Sequence, residues 1–308
     1  MLYLKNDSSI VAHLLNYSYP NMKRFIINIF LITLLVAIVN GLYLALLYYG
    51  DITFIKRHES LHFTDPDFEL LVMGNSLATD AFDTGWLSEQ GLSSYNMAIP
   101  GSSIKTNCFQ LNEYLSNYES KPKYVILGLG TYTGSFEDET IHPIVEFTSV
   151  GYRYSIDDLP MIKFRWLAIE MLKKMVSSLE RNVKLSYGQF KFQKVQPDNT
   201  VYGENYFEMD RYLKSKYIQK IAAVCKVNKI KLILIEMPGF KEVQNKNEMG
   251  PYSLNFPDGS VGILYNLNNV EFGKLFDAKK HWIGNSHLNE YGAVRLTEEM
   301  YQIIFKNK

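Results

Sequence analysis

"ELLVMGNSLATD", residues 69–80, runs from an apolar stretch through Gly74, Asn75 and Ser76 into residues able to open a helix. A short unbroken run of Leu, Val and Met ended by glycine suits a strand covered on both faces, as in parallel sheets. Ligands bind beyond the carboxyl ends of such strands, so an amide and a hydroxyl at this turn make it a candidate site. The same residues also fit a plain helix start, with Ser76 as N-cap and Thr79 and Asp80 adding polarity to the first turn.

Working outward, the pattern repeats. Strands are predicted at 69–73, 94–99, 123–129 and 230–236, with a weaker candidate at 269–272, and helical periodicity runs over 103–119, 161–180, 207–228 and 289–306. Strands alternating with helices predict one α/β domain, 68–308, built on a parallel sheet flanked by helices. A helical insertion around 135–206 lies outside what a compact α/β unit needs; a lid, a partner surface and a plain surface excursion all fit it.

Residues 25–49, "FIINIFLITLLVAIVNGLYLALLYY", carry no charge. At about 1.5 Å per residue they are long enough to cross a hydrocarbon core of about 30 Å. The apolar stretch exceeds a signal h-region and no small-x-small cleavage site follows it, so an uncleaved anchor is expected. Lys23 and Arg24 precede it, whereas Lys56 and Arg57 come several residues after its end. That asymmetry places a cytoplasmic tail at 1–24, a linker at 50–67 and the α/β domain outside the cell. Asn28, Thr33 and Asn40 fit either contacts with other membrane helices or tolerated polar positions.

Composition excludes several classes. The 308 residues include 32 basic and 32 acidic side chains, so no basic surface for nucleic acid is implied. Cys108 and Cys225 lie far apart with no Cys or His at ligand spacing, which predicts two buried thiols and no zinc site. Asp65, Asp67, Asp80 and Asp83 do not follow a calcium-loop spacing and are assigned to solvent. Trp282 is assigned to the core and His281 to the surface. No metal or organic cofactor is expected.

Three more segments would gather at the same sheet edge. "YNMAIPGSS" (95–103) places Asn96 and Gly101 around a Pro100 turn, and "LGLGTYTG" (127–134) offers further glycines and hydroxyls. "WIGNSHLNEYGA" (282–293) sets His287 just before a helix that Asn289 would cap. In this order the four segments resemble the SGNH/GDSL hydrolase superfamily. With the N-terminal anchor they look most like its membrane-anchored bacterial branch, akin to proteins of teichoic acid D-alanylation and exopolysaccharide O-acetylation.

The resemblance implies an SGNH-hydrolase-like, flavodoxin-like fold with Ser76 as nucleophile and His287 as general base. The backbone N–H groups of Ser76 and Gly101 match oxyanion-hole donors. Three positions depart from the pattern: Asn75 replaces an Asp, Tyr132 stands where a side-chain oxyanion donor is an Asn, and Gly284 stands where an Asp orients the His. A backbone carbonyl or Asp277 is then expected to orient His287, and the Tyr132 phenol to replace the amide. The activity implied is that of a serine esterase or O-acyltransferase working through an acyl-Ser76 on cell-envelope polysaccharide, with a membrane-bound O-acyltransferase as an expected partner. The alternative is a non-catalytic accessory module of the same fold that binds polysaccharide or that partner.

Overall fold

The computed structural model describes residues 8–64, 66–130, 136, 138–176, 183–193, 207–240, 244–283 and 287–306. The chain divides into two compact units, one of residues 1–50 with 154–173 and one of 51–153 with 174–308.

In the first unit, helix α1 spans Ser8–Gly50, and its stretch Met22–Gly50 is long and apolar enough to cross a membrane. The short α7 (Pro160–Lys163) and the start of α8 (Arg165–Val176) belong to this unit.

The second unit opens with α2 (Ile52–Leu61), capped by Asp51, whose Oδ1 accepts from the Thr53 and Phe54 N–H groups at 2.9 and 3.1 Å. The expected linker is thus partly a packed helix, and both Lys56 and Arg57 are buried. Arg57 Nη2 pairs with Glu113 at 2.6 Å.

The strands are β1 (Leu70–Gly74), β2 (Ser94–Asn96), β3 (Tyr124–Leu129), β4 (Val183–Ser186), β5 (Gln189–Phe192), β6 (Lys231–Glu236), β7 (Tyr252–Asn255) and β8 (Val261–Asn266). The remaining helices are α3 (Ser76–Ala81), α4 (Thr84–Glu89), α5 (Ile104–Asn117), α6 (Pro143–Phe147), α9 (Met209–Lys214), α10 (Lys216–Val227), α11 (Val270–Gly273) and α12 (Glu290–Tyr301). The central sheet has the order β2-β1-β3-β6-β8-β7. Its first five strands run parallel and β7 closes the edge antiparallel. This is a doubly wound α/β sheet whose strand order reverses between β1 and β3, the place where such folds bind ligands.

Period-two alternation divides the strand residues between two cores. Leu70, Val72, Ile126 and Ile233 face Leu77, Ala81, Leu87, Leu296 and Met300 of α3, α4 and α12. Leu71, Met73, Val125, Leu127 and Leu232 face Ile104 and Leu111 of α5 and Ile218 and Ile221 of α10. Cys108 and Cys225 are buried free thiols, and Trp282 is 2% exposed.

Two predicted elements differ, and two strands of the central sheet were not predicted. Residues 269–272 are not a strand: Asn269 Oδ1 accepts from the N–H groups of Glu271 and Phe272 and starts α11. The strand β8 and its antiparallel partner β7 take the place in the sheet that segment was expected to fill. The insertion is also not wholly helical, because β4 and β5 form an antiparallel hairpin.

Candidate functional site

Gly74 ends β1 with φ +145°, and a Cβ there would stand 2.2 Å from the carbonyl oxygen of Gly128, its register partner on β3. Only glycine fits, and α3 therefore begins directly over the β1/β3 junction. The turn is fixed on both sides: Gly74 N–H donates to Asn107 Oδ1 at 2.8 Å, and Ser102 Oγ donates to the Gly74 carbonyl at 2.6 Å.

The cap of α3 is Asn75, not Ser76, since Asn75 Oδ1 accepts from Leu77 N–H at 3.0 Å. Asn75 thereby performs the task that would have explained Ser76 structurally. Ser76 occupies the first helical position and is partly exposed.

One turn further along α3 stands Asp80. The i,i+4 spacing puts it on the same helix face as Ser76. Asp80 is buried, as is Asp83, so the assignment of these carboxylates to solvent is overturned. Asp83 caps α4 through Trp86 N–H and pairs with Lys191 at 2.8 Å.

Asp80 Oδ2 lies 2.6 Å from His287 Nδ1. With the carboxylate accepting, Nδ1 carries the proton and Nε2 is left as the acceptor, the tautomer a general base requires. The His287 side chain is 36% exposed against 6% for Asp80, so the ring spans from the interior to the surface.

His287 is held in place by backbone pairing on both sides. Ile283 N–H donates to the His287 carbonyl at 2.8 Å, Asn289 N–H donates to the His281 carbonyl at 3.0 Å, and Trp282 bridges Leu288. As predicted, Asn289 caps α12, with Oδ1 accepting from Tyr291 and Gly292 N–H groups.

Asp277, expected as an alternative orienter of His287, is engaged in a local turn. Its Oδ1 accepts from Lys279 N–H at 2.8 Å, and its own N–H donates to His281 Nδ1 at 2.9 Å, which closes a local turn. Sequence reading passed over Asp80 because its partner lies 207 positions away; the one available signal was the four-residue spacing from Ser76.

Behind Asp80 sits Lys56 of α2, 1% exposed. Its ammonium donates to the Ala98 carbonyl, lies 3.4 Å from Asn96 Oδ1 and stands 5.2 Å from the Phe190 ring centre. Asn96 Nδ2 in turn donates to the Ala78 carbonyl at 2.8 Å, which ties the lysine's partner to α3. Burial pushes the Lys56 ammonium well below its ordinary value, opposed by the charges of Asp80 and Glu59. Burial likewise raises the Asp80 carboxyl, and the bond and charge of His287 and the charge of Lys56 pull it back.

The hairpin of the insertion braces the same helix. Gln189 Nε2 donates to the Asp80 carbonyl at 2.9 Å, and the Tyr187 carbonyl accepts from Asn96 N–H at 3.0 Å and Thr84 Oγ1 at 2.9 Å.

Gly101 follows β2 in an exposed turn with φ +74°, a conformation that costs glycine little. Through Ser102 it is held next to the Gly74 carbonyl, on the loop facing the Asn75–Ser76 turn. Tyr132 and Gly284 lie outside the described residues. Among the described residues no group of His, Cys, Asp and Glu is arranged to hold a metal ion.

No family model matches the sequence, and no curated protein matches it. Among solved structures, the chain is similar to a protein from Streptococcus pneumonia provisionally named a platelet activating factor, at TM-score 0.39 and 12% identity over 89% of this chain and 99% of that one. It is also similar to a GDSL-like lipase from Bacteroides thetaiotaomicron, at TM-score 0.35 and 12% identity over 83% of this chain and 98% of the other.

Proposed function

We propose that the protein is a membrane-anchored serine esterase or O-acyltransferase that carries an acyl group on Ser76 and acts on cell-envelope or exopolysaccharide esters. The observation that carries this reading is the Asp80–His287 hydrogen bond, made from the helix that begins with Ser76. The resemblance of the four sequence segments to SGNH/GDSL enzymes supports the same roles.

In this reading His287 Nε2 takes the Ser76 Oγ proton as Oγ attacks the ester carbonyl. The backbone N–H groups of Ser76 and Gly101 stabilise the oxyanion, a contribution worth about 10²- to 10³-fold per donor in serine hydrolases. Collapse expels the alcohol, which receives the proton from His287 and leaves acyl-Ser76. Water or a sugar hydroxyl then attacks, giving back its proton through His287, so hydrolysis and transfer share every step but the last.

The chain leaves the cytoplasm through Met22–Gly50 with the α/β unit outside, and an acyl donor delivered through the membrane by an integral O-acyltransferase would arrive beside the anchor. Gly284 and Tyr132, which depart from the family pattern, favour the accessory reading, and the Asp80 carboxylate at His287 counts against it.

The test is to incubate the full chain in detergent with an activated acyl ester and to search Ser76 peptides for the acyl mass. Acyl-Ser76 that is absent in Ser76→Ala and discharged faster by oligosaccharide than by water supports transfer. Discharge by water alone supports hydrolysis, and no acyl-Ser76 on folded protein sinks both.

A further inference from the structure

Asn40 and Tyr43 lie one turn apart on α1, and each binds backbone from the inserted segment. Asn40 Oδ1 accepts from Met161 N–H at 3.0 Å and Tyr43 Oη donates to the Phe164 carbonyl at 2.8 Å, while Asn40 Nδ2 turns back to the Val36 carbonyl. Pro160, Phe164 and Leu167 are buried in this contact unit. Two polar side chains near the C-terminal end of the apolar stretch are thus used to hold a non-contiguous piece of chain, and the backbone groups they meet are satisfied.

The outward side of that piece is apolar. Among the described residues, twelve large apolar side chains outside α1 are exposed, and six fall in 154–169: Tyr154, Ile156, Met161, Ile162, Trp166 and Ile169. The other six are spread over the rest of the chain, as solitary surface apolar residues usually are. Lys163 and Asp158 neutralise each other at 2.8 Å with little exposure, while Asp157, Arg165 and Glu170 are exposed. Apolar side chains with Trp and Tyr, edged by charges able to reach water, make up the chemistry of a segment lying in a membrane interface.

The level on α1 agrees. Asn40 lies ten residues before Gly50, about 15 Å along the axis, and the 29-residue apolar stretch is about 43 Å long, exceeding a core of about 30 Å. With the excess shared between the two ends, Asn40 lies about 8 Å inside the C-terminal boundary of the span, within the depth of about 5–10 Å to which interfacial segments bury their apolar face.

We propose that residues 154–170 form a second, monotopic membrane contact, docked on α1 and inserting Ile156, Met161, Ile162, Trp166 and Ile169 into the leaflet at the end of α1 from which the α/β unit emerges. The occupant of this surface is lipid. The chain leaves the α/β unit at residue 153, returns to the anchor and re-enters at 174. The proposal rests on α1 spanning a bilayer, and the experiment separates the two.

Spin labels are placed singly at Leu35→Cys, Ile162→Cys, Ile169→Cys and Val227→Cys in the full chain, reconstituted in phosphatidylcholine/phosphatidylglycerol nanodiscs, and the unsubstituted chain gives the background from Cys108 and Cys225. Collision with oxygen and with an aqueous nickel chelate reads the depth of each. Positions 162 and 169 are expected to be oxygen-accessible and at least fivefold protected from nickel relative to 227, with 35 deeper still. Position 35 in lipid with 162 and 169 open to nickel overturns the proposal and leaves the anchor standing. Position 35 open to nickel removes both. Labels at 162 and 169 immobilised and hidden from both reagents would place protein, not lipid, on this surface and overturn it equally.

Discussion

Asp80 and His287 meet at 2.6 Å although 207 positions separate them, and Asp80 is one helical turn from Ser76. The carboxylate that fixes the imidazole therefore comes from the helix of the candidate nucleophile, not from the segment preceding the histidine. A single rigid element, α3, sets the spacing of two of the three groups.

Asp80→Asn should remove activity without harming the fold. An Asn offers Nδ1 the wrong partner and releases the tautomer, a loss of order 10⁴ in serine protease precedent. Because burial raises the Asp80 pKa in the folded protein, its contribution to stability is present below the ordinary carboxylate value and is lost as pH rises through the raised one. The variant's melting temperature should thus equal or exceed that of the natural chain at pH 7, and that difference should shrink as pH falls towards 4.

Lys56 is a positioning residue for the same pair. Lys56→Met keeps the stem's volume and removes the cation that favours ionised Asp80. The acid limb of the rate-against-pH curve for Ser76 acylation should move to higher pH, with little change at the alkaline plateau. A uniform loss at every pH would instead mean that Lys56 serves only packing.

Gly74→Ala should cost more than any surface change, because its Cβ would stand 2.2 Å from a backbone oxygen that cannot step aside. A loss of about 4 kcal/mol or more in denaturant unfolding is expected, the range reserved for core strain.

His142 caps α6 with Nδ1 accepting from Ile144 N–H at 3.3 Å, and burial pushes its pKa down to about 4. Stability from this group is full above the unfolded value of about 6.5 and is lost as pH falls through about 4, since protonation places a charge on a buried ring. His142→Asn should retain the cap and flatten the melting-temperature curve between those pH values.

Much of this architecture was legible from the chain alone. β1, β3 and β6 read clearly because buried parallel strands are continuous apolar runs, and β8 escaped notice with its edge partner β7, whose residues alternate in exposure. Residues 269–272 looked like a strand because four residues show no helical period, while the Asn269 cap that decides the matter is a local hydrogen bond. Motif order singled out Ser76 and His287 as candidates, and the structure sets both beside Asp80, one as its helix neighbour and one as its hydrogen-bond partner. Asp80 and Lys56 were not singled out, because charged residues between apolar ones look like surface until tertiary contacts bury them. The hairpin β4–β5 that braces α3 was hidden for the same reason: its partners Asp80, Thr84 and Asn96 are remote in sequence.

The central claim is that Asp80 and His287 together activate Ser76, and the rate of fluorophosphonate labelling of the full chain tests it most directly, with the adduct mapped by mass spectrometry. The expected result is labelling at Ser76 alone, abolished by His287→Ala, slowed at least a hundredfold by Asp80→Asn and unchanged by Asp277→Asn. Labelling of Ser76 that proceeds at the same rate in Asp80→Asn, or folded natural protein that does not label at all, would contradict it.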